Sequence, residues 1–167
     1  MLAPNSLAFI ALANEYCQTV ERAREAEPEA FVSSMLRLLP RLYISATDLR
    51  PDMSGVIEEA YIDNALDEEY YESLRRAMEA LLGEKDTYLE VFEEDMKYSD
   101  TPIASSISEG LADIFQVLYN LLEVVRDAPE ELTNSALSAV KEDFETYWSR
   151  PLCNVLRAVN AVRYFDA

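Results

Sequence analysis

Apolar residues recur along this chain at the three- and four-residue spacing of amphipathic helices, and no stretch alternates apolar and polar long enough to predict a strand. After Pro4, Asn5 or Ser6 is placed to cap a first helix, with Phe9, Leu12, Ala13, Tyr16 and Val20 on one face and Glu15, Gln18, Glu21, Arg22 and Glu25 on the other. That helix is expected to end near Glu27. Pro28 opens a second, whose Phe31, Met35, Leu38, Leu39, Leu42, Tyr43, Ala46 and Leu49 keep helical spacing through Pro40. A proline inside a helix costs about 3 kcal/mol, so a kink is expected at Pro40. Residues 51–66 read as an irregular connection, with one short helical turn in "VIEEAYIDN".

Asp67 then caps "EEYYESLRRAMEALL", in which Tyr70, Leu74, Met78, Leu81 and Leu82 form a stripe that Gly83 terminates. A shorter helix, "DTYLEVFEEDM", is expected from Asp86, and "KYSDTPIASS" reads as a loop. From Ser105 or Ser106 a long helix begins, "SISEGLADIFQVLYNLLEVVRD". Pro129 starts the next, with Leu132, Ala136, Val140, Phe144, Tyr147 and Trp148 toward the core. Pro151 is expected to divide it from a last helix, in which Leu152, Val155, Leu156, Val159 and Val162 face inward. The prediction is an all-α fold, an up-and-down helical bundle of about four long helices plus shorter acidic ones. Residues 1–167 are expected to form one helical domain, with no internal repeat.

Composition narrows the chemistry. With 50% apolar residues, the 167-residue chain can bury a core of its own. Its longest apolar run, "LAFIALA", is far short of the roughly 20 residues a membrane span needs, and no basic region precedes it as in a secretory leader. A cytoplasmic protein is expected, with Cys17 and Cys153 as free, unreactive thiols in apolar helical contexts. The chain has no histidine, which removes the commonest acid/base catalyst and transition-metal ligand. Three glycines, Gly55, Gly83 and Gly110, cannot make a phosphate-cradling loop. The net charge of −18 opposes nucleic-acid binding. Residues 52–100 account for −12 of it.

At "LLPRLYISATDL", "SISEGLADIFQVLYNLL" and "DFETYWSRPLCNVLRAV" the chain resembles a family of bacterial all-helical proteins classed as a domain of unknown function. The likeness runs over nearly the whole chain and implies a single helical domain. It brings no activity, cofactor, partner or catalytic residue. Gly110 stands where that pattern would favour a better helix former.

Three constellations carry candidate chemistry. In the long helix, Glu109, Asp113, Gln116, Asn120, Glu123 and Asp127 share one ribbon, which reads either as a solvated strip or as a ligand site. Its Glu109 and Asp113, joined by Glu142 of the following helix, could offer oxygen ligands to Mg²⁺ or Mn²⁺. "EEYYE", residues 68–72, resembles the first acidic motif of all-α nucleotide pyrophosphatases, but the Glu-x-x-Asp partner those enzymes need is absent from the chain. The acidic middle segment, Tyr61 to Tyr98, holds five of the ten tyrosines. Tyrosine is enriched at interfaces, and concentrated negative charge speeds encounter with a basic protein.

The leading expectation is therefore a non-enzymatic domain that acts through protein contacts and carries no cofactor. Its docking surface would be Tyr61, Glu68, Glu69, Tyr70, Tyr71 and Glu72, and its partner a basic protein. The alternative is a Mg²⁺- or Mn²⁺-dependent hydrolase of a small phosphate-containing molecule, with Glu109, Asp113 and Glu142 as ligands. A homodimer joined by spare apolar helix surface is a third reading. Arg150, Arg157 and Arg163 could meet acidic residues of the middle segment, within one chain or between two, and packing within the chain is the expectation.

Overall fold

Helices form where the apolar spacing places them. The computed structural model describes residues 1–56, 62–90, 97 and 103–165. Helix α1 (Pro4–Glu21) is followed by a 3₁₀ turn at Ala23–Glu25 and by α2 (Pro28–Asp48), which continues unbroken through Pro40. Helix α3 (Glu68–Leu82) begins where the Asp67 carboxylate accepts a hydrogen bond from Glu69 N–H, and ends at Gly83, whose φ of 61° suits a residue without a side chain. Helix α4 (Ile107–Val125) opens on Ser106, whose hydroxyl accepts from Glu109 N–H. Helix α5 (Glu130–Asp143) runs through a π turn at Phe144–Trp148 into α6 (Ser149–Tyr164). No helix among the described residues is long and apolar enough to cross a membrane.

The protein is all-α but for one small departure. Thr87–Leu89 (β1) pairs antiparallel with Ala104–Ser106 (β2), Thr87 opposite Ser106 and Leu89 opposite Ala104. The strands, expected to be absent, escape notice because three residues are too few to show alternation. No helix starts at Asp86 as expected: residues 83–86 form a 3₁₀ turn that leads into β1. Asp86 caps another element, since its carboxylate accepts hydrogen bonds from both the N–H and the hydroxyl of Ser108 at the start of α4. The helical turn expected in "VIEEAYIDN" and the second half of "DTYLEVFEEDM" lie outside the described residues.

Helix α4 packs against α1, α3, α5 and α6, and α2 packs against α1 and α6. The expected core positions of α1, Phe9, Leu12, Ala13, Tyr16 and Val20, are all buried. The Tyr16 hydroxyl donates to the Leu111 carbonyl at 2.6 Å and so ties α1 to α4 inside the core. At Gly110 α4 and α6 approach closely: a Cβ placed there would lie 2.3 Å from Val155 Cγ1. The better helix former expected at that position would collide with α6, and close packing overrides propensity.

Pro151 does not divide α5 from α6. The helix passes through it after changing pitch at Phe144–Trp148. Trp148, fully buried, donates its indole N–H to the Val140 carbonyl at 3.1 Å and packs edge-to-face on Phe144. Tyr147 next to it, expected inside, is 47% exposed, as Leu132 is 40% and Tyr43 41%. Cys17 is buried and Cys153 exposed, so only the first behaves as the small hydrophobe expected of both; each is a free thiol. Arg150, Arg157 and Arg163 form no ion pair among the described residues.

Candidate functional site

The polar ribbon of α4 does more than face water. Asn120 accepts at Oδ1 from Leu66 N–H at 3.0 Å, and the Gln116 and Asn120 side-chain amides donate to Asn64 Oδ1 at 3.2 and 3.4 Å. These bonds pin the segment ahead of α3 across α4. One turn toward the N-terminus, Asp113 accepts a hydrogen bond of 2.6 Å from the Tyr71 hydroxyl of α3. Glu123 pairs with Arg126.

Beyond Asp113 the ribbon opens into a cleft of about 630 Å³ against α5 and the π turn. Asp113, Gln116 and Asn120 line one wall, Glu142, Asp143, Thr146 and Tyr147 the other, and Ile62, Val117, Ala139 and Val140 give it an apolar part. No lysine or arginine is among these residues. Asp113 and Tyr147 also border a smaller pocket of about 240 Å³, shared with Tyr88, Glu90, Ser105, Ser106, Glu109 and Gly110, and with Arg150, Pro151 and Asn154 of α6.

The electrostatics follow from this enclosure. Burial raises the Asp113 carboxyl above its ordinary value; the Tyr71 hydrogen bond pulls it back in part, and the negative charge of Glu109 pushes it further up. Burial beside Glu142 raises Asp143 as well. The Tyr71 hydroxyl is pushed far above its usual range by burial, by its bond to Asp113 and by the charges of Asp113 and Glu109. Burial and the nearby carboxylates raise Tyr147 in the same direction. The cleft thus carries negative charge that no lysine or arginine among its described lining residues neutralises, and a cation entering it would relieve that cost.

The three carboxylates expected as metal ligands are not gathered into one centre. Asp113 and Glu142 share the larger cleft, while Glu109 borders the smaller pocket. Among the described residues no group of three or more acidic or cysteine side chains could hold a metal ion. A metal site on this ribbon needs further carboxylates to converge on Glu109 and Asp113 from a neighbouring helix. Gly110 instead brings α6 against that part of α4.

The expected docking residues of α3 also divide. Glu68 and Glu69 are exposed at the start of the helix, but Glu72 is held by Arg75 at 2.8 Å and by Arg76 at 3.3 Å. Tyr70 and Tyr71 turn inward, half-buried, with their hydroxyls committed to Glu21 and Asp113. Tyr70 packs edge-on against Phe115 and Tyr119. Tyr61 lies outside the described residues. Missing from the expected set were Asp143, at the end of α5, and Thr146 and Tyr147, which lie within the π turn.

Among curated proteins none matches the chain. Among solved structures, the crystal structure of protein BF1032 from Bacteroides fragilis is similar, with a TM-score of 0.83 and 30% identity over 99% of this chain and 96% of that one. A family model described as a domain of unknown function, DUF5063, matches residues 2–165. By that match over almost its full length, the chain belongs to the DUF5063 family.

Proposed function

We propose that this is a non-enzymatic domain that acts through protein contacts, and that it receives a basic segment of a partner protein in the cleft between α4 and α5. One observation carries the reading: a concave site of about 630 Å³ lined by Asp113, Glu142 and Asp143, with no lysine or arginine among its described lining residues. An acidic surface that only keeps a protein soluble has no need to be concave or to hold carboxylates at raised pKa. Exposed Tyr147 and the apolar wall supply contact area for the aliphatic stem of a lysine or arginine, whose head would meet the carboxylates. The chain's net charge of −18 would steer a basic partner toward it.

The test compares two charge-matched double variants in binding to a lysine- and arginine-rich peptide. Glu142→Gln with Asp143→Asn should weaken binding by roughly tenfold, and the loss should shrink as salt rises. Glu68→Gln with Glu69→Gln, at the exposed start of α3, should change it far less. Equal effects of the two pairs would mean that general charge attraction, and not the cleft, holds the peptide.

A further inference from the structure

We propose that the smaller pocket, between the β1–β2 pair, α4 and the start of α6, binds a free α-amino acid with a basic side chain. This goes beyond the docking cleft, because it concerns a different cavity and a small molecule. The cavity is about 240 Å³, below the size usual for drug-like ligands and suited to one of about a dozen heavy atoms.

Glu90 supplies the first observation. It is only 7% exposed, and it borders the pocket. Its Oε1 accepts from the Tyr88 hydroxyl at 2.9 Å, but no cation pairs with it and its Oε2 accepts no hydrogen bond among the described residues. The second oxygen is not sealed in the core, so at the cavity wall it remains available to a donor that enters the pocket.

Arg150 supplies the second. It borders the same pocket as Glu90, Glu109 and Asp113, and its exposed side chain forms no ion pair among the described residues. The pocket therefore presents both signs of charge, unpaired, across a short span. A ligand that itself carries both signs complements such a wall: its carboxylate would lie against Arg150 and the Asn154 amide, its ammonium groups against the acidic side. Three carboxylates against one guanidinium favour a ligand of net positive charge, which selects the basic amino acids over neutral or acidic ones.

Calorimetric titration of the intact chain with L-lysine, and with cadaverine as its analogue lacking the carboxylate, tests the assignment. L-lysine should bind, and cadaverine should bind roughly tenfold more weakly. Arg150→Met, at an exposed position, should abolish that difference; Glu90→Gln should weaken both ligands. Glu142→Gln with Asp143→Asn should leave lysine binding unchanged, so the pocket and the docking cleft stand or fall separately. No heat with millimolar L-lysine, equal affinity for cadaverine, or a lysine affinity untouched by Arg150→Met would each overturn the proposal.

Discussion

Asp86 and Ser108 stand 22 positions apart, and the carboxylate of the first takes both the backbone N–H and the hydroxyl of the second at 2.7 Å. Both residues are almost fully buried. An anion at a helix N-terminus satisfies donors that lack an intrahelical partner and meets the positive end of the helix dipole. Asp86→Ala should therefore lower stability by about 2 kcal/mol, and Ser108→Ala by about 1 kcal/mol because the backbone bond survives. Urea unfolding midpoints of the two variants measure the difference. Equal losses would mean that the hydroxyl, and not the helix terminus, is what the carboxylate serves.

Gly110 is a second point at which stability runs against helix propensity. Alanine there gains about 1 kcal/mol of intrinsic helix preference, but its methyl would press on Val155, and overpacking costs about 1–3 kcal/mol. The Gly110→Ala variant should be less stable than the parent. Adding Val155→Ala should cost less in that background than in the parent, because it relieves the collision. A thermal denaturation cycle of the four proteins gives the coupling, and simple additivity would show that α4 and α6 can move apart freely.

Asp113 makes stability depend on pH in a direction opposite to that of most carboxylates. Its folded-state pKa lies above that of the unfolded chain, so between the two values the folded protein holds the proton more tightly and stability falls as pH rises through that window. The deficit then persists to neutral pH. Asp113→Asn keeps an acceptor for Tyr71 and removes the charge. It should be more stable than the parent at about pH 7, with the margin narrowing as pH falls through the raised Asp113 pKa toward about pH 4, the ordinary range of an aspartate. Paired denaturation curves at the two pH values decide it.

Much of this fold was legible in the sequence, because most helix boundaries carry their own local chemistry. Pro28, Asp67, Gly83 and Ser106 begin or end helices for reasons that involve only nearby residues. What was hidden depends on distant partners. Asp86 has the sequence context of a local cap but serves a helix that starts 21 positions later. Tyr70 and Tyr71, residue types that suggest an interface, find their partners on α1 and α4. The ribbon of α4 was visible as a ribbon, but its meaning came from Asn64, Leu66 and Tyr71, which no spacing within the helix reveals.

One pattern in the sequence does foreshadow the π turn. Ala136, Val140, Phe144, Trp148 and Leu152 are all buried, and each stands four positions after the last. On a uniform α-helix every step of four overshoots a full turn by about 40°, so over that run Leu152 would point roughly 160° away from Ala136. The wider turn at Phe144–Trp148 absorbs about 100° of that excess, one residue's worth of rotation, and so brings the series back toward one side. The number of residues between Ala136 and Leu152 is therefore as much a part of the folding information as their types. Removing any one of them would act as a rotation, turning the whole C-terminal helix by about 100° and swinging Val155 away from the notch that Gly110 leaves for it.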